Sequence, residues 1–155
     1  MKKQKLIKYL LYCMVFSSLV ACDDKLYNKW QDIPQFQWNK TNKIVNEIDA
    51  VDGTYEFKIG LRHLAELPYK SVKILLETTS PSGKVDKNEI DFKIRDENNG
   101  LIGEVMSELV DTEQVVDPGF TFKEKGKYKF VMTHLMAGEN FGGVLEVGLI
   151  IKPKK

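Results

Sequence analysis

The sequence predicts an all-β fold, an antiparallel β-sandwich of about seven to nine strands, and two observations carry that prediction. From residue 43 onward the apolar residues recur with a period of two, and the runs are separated by Gly, Pro, Asn and Asp turn signals. A third observation sets the scale. The 155 residues are 43% hydrophobic and 29% charged, enough for one domain to bury about 70% of its unfolded surface. Only two cysteines occur, Cys13 and Cys22, so no disulfide framework substitutes for a core. The formal charge of +1 gives no basic excess that would argue for nucleic acid.

The elements follow in order. Tyr55, Phe57, Ile59 and Leu61 alternate with Glu56, Lys58, Gly60 and Arg62, the pattern of a half-buried strand. Val72, Ile74 and Leu76 share a face, although Leu75 interrupts the polar side. Ile90, Phe92 and Ile94 alternate with Asp91, Lys93 and Arg95, and Tyr128, Phe130 and Met132 with Lys127, Lys129 and Val131. In the last strand Leu145, Val147, Leu149 and Ile151 are expected on one face with Val144 and Ile150 opposite, which predicts burial on both sides. Turns are expected at Ser80-Pro81-Ser82-Gly83, Asn98-Asn99-Gly100 and Asp117-Pro118-Gly119, with a flexible loop from Gly138 to Gly143. Glu104–Glu113 is the one segment compatible with a helix, and it is short for one. Regular strands punctuated by turns make a sandwich the natural architecture.

The N-terminus is a different kind of sequence. Lys2, Lys3, Lys5 and Lys8 precede thirteen uncharged residues, Tyr9 to Ala21, and Asp23-Asp24 follows. A positive segment and a short apolar run describe a secretory signal; a membrane-spanning helix needs about 20 apolar residues. The run ends Leu19-Val20-Ala21-Cys22, which resembles a bacterial lipobox: a branched apolar residue three before the cysteine and a small residue beside it. Such signals imply a diacylglyceryl thioether on Cys22, cleavage before it, and a fatty acyl group such as palmitate on the new amine. The plainer alternative is a secreted protein cut after Ala21. After processing, 134 residues remain, with 19 basic and 22 acidic side chains and no free thiol. Thiol nucleophiles and cysteine metal sites are thereby excluded. Two or more acyl chains give stable membrane attachment where one is marginal. The expected divisions are a signal peptide over 1–21, a lipidated N-terminus with tether or edge segment over 22–38, and the sandwich over 39–155.

Within 22–38 the polar chain carries four large rings, Tyr27, Trp30, Phe36 and Trp38, and Pro34 forbids a long helix. These rings either pack an edge strand onto the core or form an exposed partner-docking surface. Few residues suggest chemistry. His63 and His134 stand in strand patterns with no second ligand at metal spacing, and are expected to be buried sheet residues rather than metal or catalytic groups. Ser80 and Ser82 lack a Gly-x-Ser-x-Gly elbow. Asp96 to Gly100 lacks the glycine position and distal glutamate of a calcium loop. The glycines of 138–143 precede no helix and include no lysine, so no phosphate cradle is expected. No catalytic residue, metal, cofactor or small-molecule substrate is expected.

Leu61-Arg62, Leu67-Pro68-Tyr69-Lys70-Ser71-Val72 and Pro81-Ser82-Gly83 resemble the middle of the GldH-type gliding motility lipoproteins of Bacteroidetes. Asp91-Phe92-Lys93-Ile94, Asn99-Gly100-Leu101-Ile102-Gly103, Phe122 to Tyr128 and Gly143 to Leu149 continue the resemblance over about residues 54–151. Ala137 departs from a methionine-arginine pair common in the family beside Met136. The resemblance implies a non-enzymatic cell-envelope lipoprotein, lipid-anchored on the periplasmic or outer side, with other envelope proteins of gliding or type IX secretion as partners. It transfers one site, Cys22. The alternative is a lipid-anchored glycan- or peptide-binding module that uses Tyr27, Trp30, Phe36 and Trp38.

Overall fold

The computed structural model describes residues 26–154. The expected signal peptide over 1–21 and the expected lipidation site Cys22 lie outside the described residues. The chain forms eleven strands in the order β1 Tyr27–Asp32, β2 Gln37–Asn39, β3 Ile44–Asp49, β4 Tyr55–Leu64, β5 Ser71–Thr79, β6 Val85–Lys93, β7 Glu104–Met106, β8 Leu109–Phe120, β9 Lys127–His134, β10 Asn140–Gly142 and β11 Val144–Pro153. Eight of them have six or more residues, and β2, β7 and β10 have three each. Those three short strands lie beyond the seven to nine expected, because three residues are too few to show a period.

Two antiparallel sheets face each other, as predicted for a sandwich. One has the order β1-β11-β4-β8-β7, the other β3-β9-β5-β6, and β2 pairs with β10 as a two-stranded ribbon. The alternation read from the sequence sets the facing. Phe57, Ile59 and Leu61 of β4 meet Ile44 and Ile48 of β3, Phe130 and Met132 of β9, Val72 and Ile74 of β5, and Ile90 and Phe92 of β6 in one core. Phe57, Phe120, Phe122, Tyr128 and Phe130 form a chain of ring contacts with centroids 4.9–6.3 Å apart. Offset and edge-on ring pairs add to area burial, each by about 0.5–1.5 kcal/mol.

Three local expectations are corrected. Glu104–Glu113 is a hairpin: β7 and β8 pair around Ser107 and Glu108, with Ser107 at φ 59. Val110 and Thr112 point inward and Asp111 outward, a period of two that the short window concealed. In β11 the register against β4 shifts between Val144 and Glu146, so Leu145 is the extra residue of a bulge. Val144 therefore joins Val147, Leu149 and Ile151 on the core face, and Leu145 is only half-buried. The glycine-rich loop is partly strand: Asn140–Gly142 is β10, and it buries Phe141 opposite Trp38.

Candidate functional site

The structure scatters the four N-terminal rings. β1 is the edge strand of the five-stranded sheet, beside β11. Tyr27 and Gln31 lean inward: the Tyr27 hydroxyl donates to Asn46 Oδ1 at 3.0 Å, and Gln31 Nε2 donates to Val45 O and Asn46 Oδ1. These bonds tie β1 to β3 and close that side of the sandwich. Trp30 lies on the outer face, across the backbones of Gly148 and Gly60, its partners in successive strands. A Cβ on Gly148 would stand 2.7 Å from the indole, so the ring needs glycine beneath it. Trp38 is a correction to the docking reading. It is fully buried, its Nε1 donates to Asn42 O, and it packs edge-on against His134 at 5.5 Å. Phe36 alone of the four is exposed, at 53%, with Gln35 and Phe36 both at positive φ. One ring faces inward, one lies on the outer face, one is in the core and one is in solvent, so they form no common platform.

The opposite side of the sandwich is open. Gln114 of β8 spans to the free edge of β6: its Oε1 accepts from the Lys93 N–H, and its Nε2 donates to Asp91 O. By alternation, the backbone groups of Lys87 and Glu89 point to the same edge, which no strand among the described residues pairs, and Val85–Glu89 is exposed throughout. Beside this edge the sheets part around a groove of about 430 Å³. Phe57, Leu76, Phe120 and Phe130 supply its apolar floor, and Lys84, Asp86, Asp117 and Lys123 its charged rim. The sequence pointed elsewhere, since Val85–Glu89 is a charged run with no aromatic residue.

The titratable groups of the interior are engaged in structure. His63 is buried on the core face of β4, with Nδ1 2.9 Å from Leu64 O and Nε2 3.3 Å from the Thr112 hydroxyl. Burial pushes its pKa below the ordinary value, and nearby Arg95 adds to this. His134 is buried between Trp38 and Phe141 with Nε2 3.3 Å from Glu139 O, and burial lowers its pKa too. Among the described residues its Nδ1 and the Nδ2 of Asn46 have no hydrogen-bond partner. On the outer face Arg62 binds Asp111 through two nitrogens at 2.7 Å and Glu146 through the third. The Asp111 bond is the largest cause of its raised pKa. Among the described residues no three His, Cys, Asp or Glu side chains gather as a metal site. Ser80 and Ser82 hydrogen-bond each other, Ser82 also donates to Glu124, and neither meets a histidine.

Among the described residues no helix is long and apolar enough to cross a membrane. No curated protein sequence matches the chain. Solved structures similar at low identity include the following two. A family GH115 4-O-methyl-α-glucuronidase, BtGH115A, with specificity for decorated arabinogalactans, is 10% identical with a TM-score of 0.44; the match covers 84% of this chain and 18% of that one. TmCBM61, solved with β-1,4-galactotriose, is 14% identical with a TM-score of 0.32, over 84% of this chain and 87% of that one. Likeness of this order carries nothing about what the present chain binds. The profile of the GldH lipoprotein family, by contrast, matches residues 25–151. That span takes in every strand from β1 through the core-facing part of β11, and with it the gliding-motility association of the family. The chain belongs to the GldH lipoprotein family.

Proposed function

We propose that the protein is a non-catalytic accessory component of gliding-motility and type IX secretion-type machinery, anchored in the cell envelope through lipid on Cys22. One observation carries the reading: the family match begins three residues after Cys22 and spans the sandwich. A lipoprotein family and a lipobox thus meet at one junction of this chain. Further support comes from the fold. β1 starts five residues after Cys22 and is bonded into the sandwich, so the anchor holds a rigid body on a short leash. Such a body serves other envelope proteins by position and contact, through the exposed Phe36 and the free edge of β6.

The test is deletion and complementation in the native host. Loss of type IX cargo from the medium, and of colony spreading where the species glides, is expected on deletion. Wild-type protein should restore both. Cys22→Ser should lose alkyne fatty-acid labelling and fail to restore them. Normal secretion and spreading in the deletion strain would overturn the accessory role. A folded His63→Ala or His134→Ala variant with total loss of function would overturn its non-catalytic character.

A further inference from the structure

Free strand edges invite association, and proteins blunt them with proline, bulges, very short strands or covering groups. The other edges of the two large sheets are blunted in these ways. β1 and β3 are tied to each other through Tyr27, Gln31 and Asn46. β7 has three residues, and β8 beyond it carries Pro118 and two register shifts against β4. β6 has neither proline nor bulge: its register against β5 runs unbroken from Ser71↔Lys93 to Thr79↔Val85. One side chain covers part of its edge. Gln114 takes Asp91 O and the Lys93 N–H, which leaves the outward backbone groups of Val85, Lys87 and Glu89 without a strand partner among the described residues. Lys87, the cation that could guard such an edge, is drawn back onto the outer face of its own sheet by an ion pair with Glu77, directly opposite in β5. Glu89 is exposed and makes no ion pair among the described residues.

From this edge we infer that its occupant is a second copy of the same chain, paired β6 to β6 in antiparallel fashion. Antiparallel strands oppose residues whose backbone groups both point across the gap. A copy related by a two-fold axis therefore pairs odd-numbered residues of β6 with odd-numbered ones. Centred on Lys87 or on Glu89, such pairing sets like charges directly opposite, which is destabilising. Centred on Asp86, it leaves Glu89 beyond the seam. Centred on Asn88, it sets Lys87 opposite Glu89 twice, and each of these pairs exchanges two backbone hydrogen bonds. On the outer face Glu77, Lys87 and the second copy's Glu89 then alternate in sign across the seam. On the inner face Asn88 meets its own copy, amide to amide. The ladder stops at Asp91, where Gln114 already occupies the edge. Two four-stranded sheets become one of eight strands, within the size that open sheets reach. The two-fold axis stands normal to that sheet and keeps both copies of β1 on one side, as two chains tethered to one bilayer require. Pairing goes beyond the accessory role proposed above and does not depend on it, since one is read on the protein and the other on secretion and spreading.

The test is cysteine cross-linking of the full-length protein in native envelopes, with the linked peptides identified by mass spectrometry. At the Asn88 pair the two Cα atoms would stand about 4.5 Å apart, a separation that a disulfide spans. The two copies of Asp86 would stand four residues out of register, about 14 Å apart along the strand. Asn88→Cys should therefore link to its own copy under mild oxidation about tenfold or more faster than Asp86→Cys does. Glu89→Lys, which sets a cation opposite Lys87, should slow the Asn88→Cys linkage about threefold or more, and by less in 0.5 M salt. Absence of linkage between the introduced thiols of Asn88→Cys would overturn the inference, as would equally fast linkage of Asp86→Cys. Linkage of Asn88→Cys to a different protein would overturn it too, by giving the edge to another partner. The wild-type chain supplies a check that needs no variant: purified in detergent, it should sediment with the mass of two chains, and a single chain at about 0.1 mM would overturn the pairing.

Discussion

The two long sides of the sandwich differ in how they end. On the β1–β3 side, Tyr27 and Gln31 bridge the sheets through Asn46, Trp30 lies flat on two glycines, and Trp38 fills the core behind β2. On the β6–β8 side, Gln114 bridges once, and the strands then diverge around the groove lined by Phe57 and Phe120. The aromatic side is sealed and the charged side is open. Large rings in a polar segment signal a place where the chain must be pinned down; an edge available to another chain looks like an ordinary run of charged residues.

Truncation breaks this comparison most directly. Removing residues 26–38 takes away β1 and Trp38 together, and we expect loss of the cooperative melt rather than a folded domain with an assembly defect. Trp38→Ala alone should cost about 3–5 kcal/mol in urea unfolding, as should Phe130→Ala in the shared core. Asn88→Ala on the open edge should stay within about 0.5 kcal/mol. Equal costs at Trp38 and Asn88 would abolish the distinction between the sides.

The outer face of the sealed side supplies a sharper probe. Gly148→Ala places a methyl group against the Trp30 indole, and overpacking of this kind costs about 1–3 kcal/mol. The double variant Gly148→Ala, Trp30→Ala should recover part of that loss, which a thermal melt would read as a non-additive pair. Additive losses would mean that Trp30 does not rest on Gly148.

Protonation tests the interior beside the ribbon. Both histidines are held neutral by burial, with folded pKa values below the unfolded value of about 6.5. A lowered histidine pKa means that the unfolded chain binds the proton first. Their contribution is therefore complete above about pH 6.5 and is lost as pH falls below it. The melting temperature should drop between pH 7.5 and 5.0, and less steeply in a His134→Gln variant. The smallest expected difference concerns lysines. Lys58 sits between Glu56 at 3.0 Å and Glu113 at 3.6 Å with 17% of its side chain exposed, so Lys58→Ala should cost about 1 kcal/mol. Lys93→Ala and Lys129→Ala, on exposed positions, should stay within about 0.5 kcal/mol by the same melts.

Strand identity and facing were legible along the chain because the period of two is local chemistry. Phe57, Phe92 and Phe130 are buried where alternation places them. The lipobox reading at Leu19 to Cys22 rests on an equally local, linear pattern of side chains, and it lies outside the described residues. Other features needed a partner distant in sequence. Gly60 and Gly148 each look like a weak point within a strand, and only their register under Trp30 gives them a purpose. The bulge at Leu145 depends on how β11 meets β4, and β2 and β10 are too short to exist apart from each other. Whether a ring is core or surface was likewise decided in three dimensions. Trp38 and Phe36 are two residues apart with similar neighbours, yet one is sealed beneath β10 and the other stands in solvent. Hydrophobicity fixes how strongly a side chain seeks cover, and the sheets determine where cover is found.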